Sequence, residues 1–150
     1  MSRIDEIQQL MEALGPASTG VSHVTQMGED VWAVGLVEDS VVYLELDLGQ
    51  DRLVLTSNVG KPRESDREKL YEAMLGYNAL WRDTGGVLMA VAAGEAMQTY
   101  AMAAAGLELD VLQATLEDFA GKARIWKTLM QNGVSQGGDV PLAPMAGVRV

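Results

Sequence analysis

The sequence predicts an α+β fold over residues 1–131: a twisted antiparallel sheet with helices packed on it, in the order α-β-β-β-α-β-β-α, two copies joining as a homodimer. Three short apolar runs, joined by links too short for a parallel crossover, predict the meander at its centre. Three other stretches repeat apolar residues at helical spacing. One of these carries an apolar arc wider than a single core-facing side requires, and the surplus predicts a second protomer.

At the N-terminus Ser2, with Asp5 at the third position, opens a helix over 2–14 on which Ile4, Ile7, Leu10, Met11 and Leu14 recur before Gly15-Pro16 stops it. The polar stretch ASTGVSHVTQMGED (17–30) reads as a loop. Strand character follows in VWAVGLV (31–37), VVYLELDL (41–48) and RLVLTS (52–57), separated by EDS and GQD. In the second run Val42, Leu44, Leu46 and Leu48 alternate with Val41, Tyr43, Glu45 and Asp47, so one face is apolar and the other mixed.

Pro62 ends the next loop, and Ser65 with Glu68 predicts a capping box at the start of REKLYEAMLGYNALW (67–81), giving a helix over 65–81. Its stripe is Leu70, Ala73, Met74, Tyr77 and Trp81, widened by Tyr71, Leu75 and Asn78. A glycine in mid-helix costs about 1 kcal/mol relative to alanine unless a close backbone approach offsets it. Around Gly76, then, Leu70, Met74, Leu75 and Asn78 are the candidate dimer contacts. Gly85-Gly86 closes the helix, and VLMAVA (87–92) with AMQTYAMA (96–103) reads as a hairpin around Ala93-Gly94-Glu95. Asp110 with Gln113 opens the last helix, whose stripe is Leu112, Leu116, Phe119, Ala123, Trp126 and Met130. The remainder, NGVSQGGDVPLAPMAGVRV (132–150), is rich in Gly and Pro without periodicity and predicts a flexible tail.

Composition narrows the chemistry. A chain of 150 residues suits one domain. With no cysteine, disulfides and thiolate metal sites are excluded, and with His23 the only histidine a zinc site lacks ligands. His23 reads as a solvated loop residue, and neither metal nor cofactor is expected. The start SRIDEIQQ lacks the basic start and apolar run of a signal peptide, and no segment offers the roughly 18 apolar residues of a membrane span, so a cytoplasmic location without membrane insertion is expected. Residues 1–60 hold ten acids against Arg3 and Arg52, net −8, while residues 61–150 hold eleven acids against nine bases, net −2. Without clustered Lys and Arg, nucleic acid and anionic membrane surfaces are disfavoured as partners.

The tripeptide Asp83-Thr84-Gly85 matches the signature of aspartic proteases. That chemistry needs a loop at a strand end, where two carboxylates share a proton. Here the approach is a helix, and Thr84 with two glycines suits a helix exit in which glycine takes positive φ. Glu45 and Asp47 share one strand face and read as the solvated side of a sheet rather than a catalytic pair. No G-x-S-x-G, Walker A or G-x-G-x-x-G pattern occurs. No enzyme is expected.

The stretch ALWRDTGG (79–86), with the hairpin after it, the aromatic-bearing C-terminal helix and the acidic character of the chain, resembles the type III secretion chaperone family typified by CesT, the Tir chaperones. The likeness spans residues 1–131 in element order. Members of that family are small acidic homodimers without enzymatic activity that bind the N-terminal segment of a secreted effector. The resemblance therefore implies a cytoplasmic chaperone that holds one or more effectors in extended form, soluble and competent for export. It implies an effector, a second copy and the secretion-system ATPase as partners. The Ala- and Met-rich hairpin at 87–105 and the Gly/Pro tail depart from the family pattern. A dimeric α+β adaptor or regulator not dedicated to secretion is the alternative.

The residues themselves place the binding surface beside the first helix. A helix of that length is unstable alone and must pack on the sheet, yet it cannot cover a whole face. Ile7, Leu10, Met11 and Leu14 are expected to form one wall of a groove, and Val34, Leu36, Leu44 and Leu46 its floor. An extended segment docks there, adding a strand to the sheet edge.

Overall fold

The computed structural model describes residues 1–37 and 40–134. Helix α1 (Arg3–Ala17) is followed by β1 (Val21–Gln26), β2 (Val31–Leu36), β3 (Val41–Asp47) and β4 (Arg52–Gly60). Then come α2 (Arg67–Ala79), the hairpin β5 (Leu88–Ala92) and β6 (Glu95–Ala103), and α3 (Leu109–Asn132). The α+β class and antiparallel sheet agree with expectation, but among the described residues the sheet has six strands rather than five, in the order β1-β2-β3-β4-β6-β5. The expected tail lies, from residue 135 onward, outside the described residues.

The extra strand is β1, inside the stretch expected to be a loop. Its register runs Val21↔Leu36, His23↔Gly35, Val24↔Val34, with a bulge between Val21 and His23. A bulge sets two residues opposite one. Val21 and Val24, three apart, therefore face the same side, and no period-two pattern marks the strand.

Helix α1 opens with the predicted capping box. The Ser2 hydroxyl accepts from the Asp5 N–H at 3.2 Å, and the Asp5 carboxylate accepts from the Ser2 N–H at 3.0 Å. Pro16 does not end the helix; it removes one donor, and closure comes at Ser18, whose N–H donates to the Gly15 carbonyl. The box expected at Ser65 and Glu68 is not formed. Residues Glu64–Asp66 make a 3₁₀ turn instead, and α2 starts at Arg67 without a side-chain cap. Helix α3 begins at Leu109, one residue before expectation, and Gln113 is used elsewhere, donating to the Ser18 hydroxyl at 2.7 Å.

The chain divides into two compact units, Met1–Thr56 with Ala101–Ala120 and Ser57–Tyr100 with Gly121–Val150. In the first, cross-strand register places Trp32, Leu44 and Leu55 in one row and Val34 beside Val42, all buried. Ile7, Met11 and Leu14 of α1 and Leu112, Leu116 and Phe119 of α3 are buried in the same unit. The second has its own cluster, in which Leu70, Met74 and Tyr77 of α2 meet Val59, Met89 and Trp126, with the Tyr77 and Trp126 rings edge to face at 5.4 Å. The predicted α3 stripe is buried along its whole length.

Candidate functional site

Helix α1 is held at its N-terminus by a salt bridge distant in sequence. Arg3 donates to both carboxylate oxygens of Asp51, at 2.7 and 3.0 Å, and also to Glu6. These bonds, Asp51 first and Glu6 next, raise the Arg3 pKa. Asp51 itself sits at φ 49°, and its carbonyl accepts from the Ala104 N–H at 3.0 Å, so the β3–β4 turn fastens both α1 and the end of β6.

Two open cavities flank the helix. One, about 280 Å³, lies against β1, with Met11, Val24 and Trp32 as its apolar part and Gln8, Glu12 and Gln26 at its rim. The other, about 310 Å³, is lined by Glu6, Ile7, Gln9, Leu10, Ala104 and Leu107. Of the expected wall, Leu10 is half-buried and borders the second cavity, while Ile7, Met11 and Leu14 are buried. The expected floor is not open: Val34, Leu44 and Leu46 are buried and Leu36 half-buried. The expectation allowed for one covering helix, whereas Leu112, Leu116 and Phe119 of α3 are buried in this unit as well. Among the described residues, two openings lie on the flanks of α1.

His23 is not a loop residue. It lies on β1 with its ring over Gly35, where a Cβ would come within 2.0 Å of the imidazole, and the Ser22 hydroxyl lies 3.0 Å from Nδ1. Glu45 and Asp47 do share a face, but Asp47 is bonded to Arg52 at 2.9 Å, which, ahead of the Gln50 N–H, lowers its pKa. A carboxyl held ionised in this way is unsuited to donate a proton.

The Asp83-Thr84-Gly85 motif does not itself end α2, which stops at Ala79; it lies in the turn that leads from the helix to β5. Thr84 is fully buried; its hydroxyl lies 3.1 Å from the Val87 carbonyl, and its own carbonyl accepts from Lys122 Nζ at 3.1 Å. Gly85 and Gly86 take φ of 69° and 90°, as expected of a helix exit. Asp83 is exposed. Among the described residues no cluster of three or more His, Asp or Glu forms a metal site, and no helix is long and apolar enough to cross a membrane.

Around the candidate seam, Leu70 and Met74 face the protomer's own core. Asn78 ties α2 to β5, donating to the Met89 carbonyl at 2.8 Å and accepting from its N–H at 2.7 Å. Gly76 is half-buried. Leu75 is 71% exposed and Trp81, expected in the buried stripe, 55%, because the helix ends at Ala79 before Trp81 can turn inward. The Arg82 guanidinium lies over its ring instead. Leu88 and Val91 on the edge strand β5 are exposed too, a set that helical periodicity in α2 alone does not reveal.

The model of the Tir chaperone protein (CesT) family matches residues 9–127 of the chain. A chain in the crystal structure of the ExsC–ExsE complex is similar in fold, with TM-score 0.68 and 20% identity over 87% of this chain and 97% of that one. The HopA1–SchA chaperone–effector complex contains another, with TM-score 0.63 and 12% identity over 81% of this chain and 92% of that one. An uncharacterized protein from Methanothermobacter thermautotrophicus is also similar, with TM-score 0.58 and 14% identity over 87% of this chain and 98% of that one. A comparison with curated protein sequences finds no match.

Proposed function

Because the chain belongs to the Tir chaperone protein (CesT) family, we propose that it is a type III secretion chaperone that binds the N-terminal segment of one or more effectors in extended form. The observation that carries this reading is the family match over residues 9–127. The surface beside α1 supplies a physical basis. An edge strand and two small cavities offer main-chain bonds for an extended client and pockets for alternate side chains. Each buried apolar anchor contributes about 1.5–3 kcal/mol. The client is held locally unfolded in the cytoplasm without ATP or a catalytic step, and delivery to the secretion-system ATPase follows.

The working form is a homodimer. The exposed apolar residues Leu75, Trp81, Leu88 and Val91 support a seam built on α2 and β5, with Gly76 and Asn78 of the expected set inside it and Leu70 and Met74 behind it.

Purification of the protein from its native cells, followed by identification of bound chains and deletion of their N-terminal segments, tests the proposal. The expected result is a captured partner whose binding is lost with that segment and whose bound segment shows no slowly exchanging native core. A partner held through a folded domain, with its N-terminal segment dispensable, sinks the chaperone reading and favours an adaptor.

A further inference from the structure

Charge is divided unequally between the two units. The first holds fourteen Asp and Glu against two Arg, net −12, and no lysine; the second holds seven acids against nine Lys and Arg, net +2. Both arginines of the first unit are bonded to carboxylates, Arg3 to Asp51 and Glu6, Arg52 to Asp47. Its surface therefore presents a field of one sign.

The cavity between α1 and β1 opens into that field. Its apolar part is Met11, Val24 and Trp32, and its rim carries Gln8, Gln26 and the exposed carboxylate of Glu12, with no lysine or arginine in its lining. The Gln8 amide donates to Glu12 at 3.3 Å, which leaves the carboxylate its charge and further acceptor positions. At about 280 Å³ the space falls just below the roughly 300–1,000 Å³ of small-molecule sites. It suits one or two side chains of a polypeptide. β1 is a terminal strand of the sheet, so a chain laid along it alternates its side chains, and those two apart, about 7 Å, point the same way.

We infer that this site selects its client by positive charge: an extended segment adds to β1, sets an apolar side chain over Met11 and Trp32, and directs a lysine or arginine two residues away against Glu12. The inference rests on the chaperone reading proposed above and adds the chemistry of the client to it. A neutral apolar segment fills the same cavity but leaves the field unanswered, and an acidic one is repelled by it. One exposed ion pair is worth at most about fivefold in affinity. Several cations in the summed field of the unit multiply that figure and hasten encounter.

Three synthetic peptides of equal length test this, each with one Leu-Ser-Leu anchor flanked on both sides by serine alternating with lysine, with glutamate or with further serine. They are titrated against the full chain by fluorescence anisotropy at about 0.01 M and about 1 M salt, where the Debye length is about 30 Å and about 3 Å. The lysine peptide is expected to bind about tenfold tighter than the serine peptide at low salt and within about twofold of it at high salt, with glutamate weakest. Glu12→Gln should cut the lysine-to-serine ratio about threefold. Equal affinities for all three peptides overturn the inference while leaving the chaperone reading in place. A lysine preference untouched by Glu12→Gln overturns the placement against Glu12. Binding of none of them overturns docking at this cavity and the inference with it.

Discussion

Thr84→Val is an incisive test of how the Asp83-Thr84-Gly85 turn is built. The substitution puts a methyl group where the hydroxyl of a fully buried side chain stood, so the hydrogen bonds of that hydroxyl are lost. They are the bond to the Val87 carbonyl at 3.1 Å, and the longer approach to the Trp81 carbonyl at 3.4 Å. A lost bond that leaves a buried acceptor behind costs about 1–3 kcal/mol. For a chain of 150 residues each kcal/mol lowers the melting temperature by about 2–4 °C, so a fall of about 2–12 °C is expected in a thermal scan. Asp83→Asn alters an exposed side chain, where a surface interaction is worth at most about 1 kcal/mol, and should cost no more than that. Calorimetry of both variants decides the matter. If Asp83→Asn is the more destabilising of the two, the turn is not held through Thr84 and the structural account of the motif is wrong.

Leu75→Asp should convert a dimer to a monomer by light scattering while leaving the circular dichroism spectrum unchanged, since Leu75 is exposed in the protomer; a wild-type monomer at micromolar concentration removes the seam altogether. Leu10→Asp, at a half-buried position beside the second cavity, should weaken client binding about tenfold or more through the loss of an apolar wall, and client binding at wild-type strength by a folded variant discards that wall. Asp5 and Asp47 have pKa values lowered below the usual 3.8, by the Ser2 hydroxyl and by Arg52 respectively. Carboxyls depressed in the folded state contribute stability that is complete above the ordinary value and lost as pH falls through the folded one. The denaturation midpoint should therefore drop between about pH 5 and about pH 2, less steeply in Asp47→Asn, and identical acid limbs in the two proteins contradict the assignment.

Where one side chain reports one environment, the sequence was a sound guide. The α3 stripe from Leu112 to Met130, Val42, Leu44 and Leu46 of the alternating run, and the Ser2–Asp5 box take their expected places, whereas Leu48, expected on the same apolar face, falls past the end of β3 and is exposed. β1 stayed hidden because its bulge breaks the alternation that betrays a strand. β4 runs on to Gly60, three residues past the expected end, and this extension carries the buried Val59 into the second unit's core. Most of the expected groove floor and two of the seam candidates are buried in the protomer for a shared reason. Periodicity identifies an apolar face but not how many elements compete to cover it, so Leu44, Leu46, Leu70 and Met74 were assigned to partners when the protomer itself covers them. Neither cavity beside α1 is legible in sequence, since each joins residues from separate elements.

β5 has a consequence for assembly. It ends the sheet, and its five residues, Leu-Met-Ala-Val-Ala, contain no charge and no proline, the usual devices that blunt an edge. Shortness is the restraint that remains. If such a strand meets a different surface on the next molecule, head to tail, nothing closes the series and a filament grows; if it meets its own copy across a two-fold axis, both edges are satisfied at once and growth stops at two. A symmetric pairing of this kind makes the same backbone that threatens solubility the element that limits the assembly's size.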